Sequence, residues 1–214
     1  MPMLTILLTG AGGSASANFL DAIRLSDDQI ETVGADISGD RLHLSLADHR
    51  VIVPPPHDKQ YMTAILHLTM EFGVDVIVPQ PDQEVLALGQ NRDSLIANMH
   101  LPDQPVLELA ADKSALANRL KLQSVAIPES VAFKTRGDID DLTSALLENH
   151  ERVWVRARRG AGSRASLPIS SPEQAVNWVD WWVSERALDY SDFMASEFLP
   201  GREFAYQSLW QNGQ

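Results

Sequence analysis

Three spaced groups of residues in the second half of the chain have the types needed to hold a polyphosphate. Asp112-Lys113 opens a helix. Arg156 ends an apolar strand and leads into Arg158, Arg159, Gly160, Ala161, Gly162, Ser163 and Arg164. Glu197 and Glu203 then flank a Leu199-Pro200-Gly201 turn. Flexible glycines let backbone N–H groups approach phosphate oxygens, and cations neutralise them. Cations, a glycine loop and two carboxylates together are what a nucleoside triphosphate site requires.

Each group also has a plainer explanation. The positive end of the helix dipole disfavours Lys113 where it stands; a bound anion would resolve that conflict, and so would simple solvation. Arg156 closes an otherwise apolar strand, so its charge is expected to have a partner. The loop after it is either a phosphate cradle or a mobile basic hairpin. The spacing of a Walker loop is absent, as are HExxH, GxSxG and zinc-type Cys/His patterns.

Composition narrows the classes. The net charge is -12, with 44% apolar and 21% charged residues among 214. A general nucleic-acid role is not expected of so acidic a surface, so any phosphate must be held by locally placed cations. There are no cysteines, which excludes disulfides and thiolate metal sites and fits a cytoplasmic protein. The apolar N-terminus lacks the basic region of a signal peptide, and no apolar run reaches the ~20 residues that span a bilayer.

The elements that must position these groups alternate. Leu4–Thr9 reads as a buried parallel strand and Gly10-Ala11-Gly12-Gly13-Ser14-Ala15 as a tight turn, followed by a helix to about Leu25. Further strands are expected at Glu31–Ala35, Val51–Val53 and Val74–Val78, and helices at Tyr61–Phe72 and Asp82–Met99. Such alternation implies a Rossmann-like parallel sheet. Gly10, Gly12, Ala15 and Asp36 also match a dinucleotide fingerprint. That pattern serves either NAD or a turn that is merely tight. Asp82 and Glu84 either face a ligand crevice or offset the dipole of the helix they open.

After a proline-punctuated boundary at 101–105, helices are expected at Ala111–Ser124, with Leu116, Leu120 and Leu122 inward, then at Ile139–Leu147 and Pro172–Leu188. Strands are expected at Val131–Lys134, Arg152–Ala157, Phe193–Phe198 and Glu203–Trp210. Trp178, Trp181 and Trp182 have the spacing of a helix's core face.

In this order the motifs resemble the ATP-grasp superfamily, in particular the branch similar to the carbamoyl-phosphate synthase large subunit. TILLTGAGGSASANFLDAIR, VGADIS, LADHRVIVPPP and VDVIVPQPDQEVLALGQNRD resemble its N-terminal domain. LELAADKSALANRLKLQSVAIPES, VWVRARRGAGSRAS and SEFLPGREFAYQSLW resemble the opening of the ATP-binding domain. The resemblance implies an α/β fold, with a Rossmann-like domain over 1–104 and an incomplete ATP-grasp domain over 105–214. A lid would occupy about 125–190, and the first strands of the large subdomain 191–214.

It further implies that Lys113 and Arg156 contact phosphates, that Gly160, Gly162 and Ser163 cover them, and that Glu197, Phe198 and Leu199 form a hinge beside the adenine. Glu203 would contact the ribose. The loop departs from a fully glycine-rich pattern at Ala161, Arg164 and Ala165. The family chemistry is ligation through an acyl-phosphate, with ATP and magnesium and an unknown carboxylate. No catalytic residue is singled out, and the magnesium ligands are expected beyond Gln214, so none is assigned within the chain. A homodimer, or a second chain completing the fold, is expected, with unpaired apolar surface at Phe204, Tyr206, Leu209 and Trp210. Two other functions remain open on the residues: an NAD(P)-linked oxidoreductase using the glycine turn, and a non-catalytic nucleotide-binding scaffold.

Overall fold

The structure, a computed structural model, describes residues 3–162, 165–204, 206, 208 and 210. The chain divides into two compact units, Met1–Lys113 and Ser114–Gln214.

The first unit is built on a parallel sheet. β1 (Leu4–Thr9), β2 (Ile30–Asp36), β3 (His49–Ile52) and β4 (Val76–Val78) lie in the order β3-β2-β1-β4. All three pairings are parallel, with Leu7 opposite Val33 and Ile77. Helices α1 (Ser14–Ile23), α2 (Gly39–Leu42) and α3 (Tyr61–Glu71) connect the strands. The continuous apolar run of β1 is dictated by burial on both faces: Leu7 and Leu8 are both fully buried. Leu7 packs with Val33, Ile65 and Leu88, while Leu8 packs with Leu20.

α4 (Asp82–Gln90) is shorter than the helix expected to reach Met99, and a single 3-10 turn, Arg92–Ser94, follows it. The Asn91 side-chain amide turns back to the Ala87 carbonyl at 2.8 Å. Beyond it the chain returns to the sheet edge: the Ile77 N–H donates to the Asn98 carbonyl and the Asn98 N–H to the Asp75 carbonyl, each at 2.8 Å. Backbone pairing with β4 competes with helix propagation and wins. α5 (Gln104–Ala111) completes this unit. It stops at Asp112, and α6 (Lys113–Leu122) begins anew. Leu122, expected to point inward, is exposed.

The second unit carries an antiparallel sheet in the order β5-β8-β6-β7. Its strands are β5 (Ser130–Ala132), β6 (Val153–Ala157), β7 (Ser166–Ile169) and β8 (Phe193–Glu197); its helices are α7 (Arg136–Leu147) and α8 (Pro172–Arg186). α7 starts at a capping box, in which Thr135 accepts from the Asp138 N–H and Asp138 accepts from the Thr135 N–H. α8 starts at Ser171, with Pro172 in its first turn.

Both helices lie on one face of the sheet. Val153, Val155, Phe193 and Ala195 meet Ile139, Leu146, Ala175 and Val179 there. Trp178 and Trp182 join this core, whereas Trp181 is 47% exposed, with the Arg186 guanidinium 5.6 Å from its ring. Five residues of the expected last strand, Glu203, Phe204, Tyr206, Ser208 and Trp210, lie in no strand and are exposed. No partner strand offers them a ladder among the described residues, and extended backbone without a ladder is not a strand. Leu209 falls outside the described residues.

Candidate functional site

Arg156, Arg158, Arg159, Gly160 and Gly162 stand at the end of β6. Strand alternation puts Val153, Val155 and Ala157 against the helices and sends Trp154 and Arg156 to the opposite face. That face also carries Ser166 and Pro168 of β7 and the buried Met194 and Ser196 of β8, which stand opposite Arg156 and Trp154 in the ladders.

Arg156 is half-buried, and its Nε is shut off from solvent with no hydrogen-bond partner among the described residues. Burial holds its guanidinium below the ordinary arginine range. A half-buried cation with no carboxylate beside it among the described residues is costly.

The loop after Arg156 closes a hairpin: the Ala157 N–H donates to the Ala165 carbonyl at 2.8 Å. Gly160 and Gly162 take the left-handed region, with φ of 98° and 71°, and a Cβ at either would meet no atom of the described residues within 4 Å. Arg158 is engaged locally, its N–H on the Asp192 carbonyl at 2.7 Å and its Nη1 on the Ser191 carbonyl at 3.1 Å. Ser163 lies outside the described residues.

Glu197 ends β8 on the other side of the sheet. It stands opposite Val153, in phase with Phe193 and Ala195, and so faces the helix side. Its Oε2 accepts the Glu129 N–H at 3.3 Å, and its Oε1 is 3.9 Å from His150 Nδ1. The structure therefore does not bring the Glu197 carboxylate to Arg156. Phe198 follows on the Trp154 side, the two rings 5.8 Å apart, with the Arg152 guanidinium 4.9 Å from the Phe198 ring. Leu199 and Glu203 are exposed. Lys113, half-buried, opens α6 and closes the first unit. Glu129 and His150 were not singled out from the sequence. The signal that would have found them is the period of two in Phe193-Met194-Ala195-Ser196-Glu197, which sends Glu197 to their side.

The glycine turn of the first unit has other duties. A Cβ on Gly10 would lie 2.6 Å from the Pro81 ring, and one on Gly12 2.3 Å from the Arg41 carbonyl oxygen. The N–H groups of Ala11, Gly12 and Gly13 donate to the Ala35 carbonyl, the Asp36 carboxylate and the Gly10 carbonyl. Asp36 also accepts from the Ser38 N–H at 2.9 Å. Gly12 and Asp36 of the dinucleotide fingerprint are thus bonded to each other, which favours the tight-turn reading.

Asp82 is an exposed helix opener, but Glu84 is not. It is 2% exposed and accepts from the Tyr61 hydroxyl at 3.2 Å. Burial raises its carboxyl above the usual range, against hydrogen bonds from Thr9 and Tyr61, and the Asp36 charge adds to the rise. Burial likewise pushes the Tyr61 phenol up.

Among the described residues, no group of three or more His, Asp or Glu side chains could hold a metal ion, and no helix is long and apolar enough to cross a membrane. No family model matches the chain, and no curated protein matches it in sequence. Solved structures do match it.

The N5-carboxyaminoimidazole synthetase of Staphylococcus aureus, complexed with ADP, is 17% identical with a TM-score of 0.58, over 92% of this chain and 47% of its own. The carboxyaminoimidazole ribonucleotide synthase of Aspergillus clavatus, complexed with ATP, is 10% identical with a TM-score of 0.64, over 92% and 47%. The biotin carboxylase of Campylobacter jejuni, in a β-γ-ATP complex, is 14% identical with a TM-score of 0.63, over 92% and 45%. The chain spans about half the length of these structures. A parallel-sheet unit followed by an antiparallel one, matched at these scores, gives this chain the fold of ATP-grasp enzymes over that half.

Proposed function

We propose that this chain is the nucleotide-recognising part of an ATP-dependent ligase that joins a carboxylate to an amine or similar nucleophile through an acyl-phosphate. The observation that carries the reading is Arg156: a half-buried guanidinium whose Nε has no partner among the described residues, at the foot of a loop with two left-handed glycines. The ATP or ADP named with several of the similar structures supports it.

In this reading Arg156 and Lys113 neutralise phosphate oxygens, and backbone N–H groups of Gly160, Gly162 and Ser163 close over them. Residues 197–199 meet the base through their backbone, and Glu203 meets the ribose. Bound ATP supplies the phosphoryl group that activates the carboxylate. The chain's own share is positioning and charge neutralisation, on which phosphoryl transfer largely depends. Magnesium belongs to the proposal as a companion of ATP, and no residue here is assigned to hold it. Further proposals are a cytoplasmic location, kinship with the carbamoyl-phosphate synthase-like branch, and a second chain or second copy as partner. The exposed Phe204, Tyr206 and Trp210 are compatible with such a partner.

Calorimetric titration of the chain with ATP and with inorganic tripolyphosphate tests the reading. Saturable binding of both, weakened at least tenfold in Arg156→Met, is expected. Absence of heat with either ligand overturns it.

A further inference from the structure

Glu197 ends β8, and the segment after it, Leu199 to Gly201, is exposed, with Gly201 at a φ of 127°. What fixes the chain at this point lies at residues 197 and 198. On the helix side, His150 stands in the turn between α7 and β6, amid two carboxylates. Its Nε2 is 3.4 Å from Glu129 Oε2 and its Nδ1 3.9 Å from Glu197 Oε1. Glu129 also binds Glu197 through the backbone: its carbonyl accepts the Glu197 N–H at 2.8 Å, and its own N–H donates to Glu197 Oε2 at 3.3 Å. On the opposite face Phe198 is held between Trp154 and Arg152. The end of β8 is thus gripped from both sides of the sheet.

We propose that His150 is a positioning residue for base recognition. Its ring lies between the Glu129 and Glu197 carboxylates, keeps the Glu197 side chain on the helix side together with the Glu129 N–H, and so sets the direction of the N–H and C=O groups of residues 197–199. This inference rests on the nucleotide reading above. Hydrogen bonds to a base edge weaken steeply when their angle departs from linear, so backbone readout needs a strand end that does not turn. Without the imidazole, two carboxylates converge with no donor between their side chains. Their repulsion then acts on the residue that begins the hinge. The role differs from that of a base ligand, since the Glu197 side chain stays on the far side of the sheet from Arg156.

The test uses the 214-residue chain and three probes in calorimetry: ATP, GTP and inorganic tripolyphosphate. Wild type is expected to prefer ATP over GTP. His150→Ala is expected to bind ATP at least tenfold more weakly and to lose the preference, while binding tripolyphosphate as wild type does. His150→Gln, which keeps a donor amide, is expected to recover most of the ATP affinity. Should His150→Ala fail to melt cooperatively, His150→Phe, which keeps a ring of similar shape without its nitrogens, is expected to give the same selective loss. Unchanged ATP affinity in a folded variant, or equal losses for ATP and tripolyphosphate, overturns the role of His150. A wild type that binds neither ATP nor tripolyphosphate overturns the nucleotide reading itself, a different outcome from either.

Discussion

Arg156 on β6 and Glu197 on β8 project from opposite faces of one sheet, because the ladder sets Arg156 against Met194 and Glu197 against Val153. A ligand on the Arg156 face can reach residue 197 only through its backbone. The two side chains therefore have separable effects, one on charge and one on the geometry of the strand end.

Arg156→Met is expected to weaken polyphosphate binding and to raise the melting temperature at the same time. The half-buried cation has no carboxylate beside it among the described residues, and an apolar side chain of similar length removes that penalty. Opposite signs in calorimetry and thermal melting check the claim. A fall in both would mean that Arg156 serves packing alone.

Glu84 predicts a pH dependence. Its folded carboxyl lies above the ordinary value of 4.5, so between 4.5 and that raised value the folded chain holds a proton that the unfolded chain has released. Stability from this group is fully present below 4.5 and is lost as pH rises through the folded value. Glu84→Gln should flatten that stretch of the stability–pH curve in urea melts. Tyr61→Phe leaves the Glu84 carboxyl without this hydroxyl and should cost about 1–3 kcal/mol.

The two sets of glycines should answer differently to alanine. Gly12→Ala drives a Cβ into the Arg41 backbone and is expected to cost about 3 kcal/mol or more. Gly160→Ala meets no atom of the described residues within 4 Å and carries the left-handed backbone penalty, about 1–2 kcal/mol. Its main effect is expected on ATP affinity. Denaturant melts and calorimetry on the pair separate the two.

Ala187 ends α8 in the left-handed region, at a φ of 52°. Ala187→Gly should stabilise the chain by about 1 kcal/mol, read as a shift in denaturant midpoint without a change in slope.

Local pattern carried much of the fold. The run Leu4–Thr9 is a strand at the bounds its hydrophobicity implies, and the period of two in Val153–Ala157 gives both the strand and the face of Arg156. β7 was not foreseen: Ser166–Ile169 is short and holds Pro168, which an edge strand tolerates because one N–H there needs no partner. α4 was drawn too long because Ile96 and Met99 extend an apolar period, while the pairing of Asn98 with Asp75 and Ile77 is invisible to periodicity. Glu84 shows the same limit. Its acid at a helix start was legible, but its bond to Tyr61, 23 residues away, is a tertiary fact. The residues proposed to face phosphate are legible as types and spacings. The His150 contact was not, since it joins three separate segments.

The turn at Ala11–Gly13 brings its own anion. Because Asp36 is part of the same chain, it competes for the Gly12 N–H at an effective concentration of about millimolar or more. A free phosphate would have to displace it at ordinary solute levels and would leave a buried carboxylate without its donors. The first unit is in this sense self-liganded at the very turn where a dinucleotide would sit, whereas the half-buried Arg156 has an Nε with no partner among the described residues.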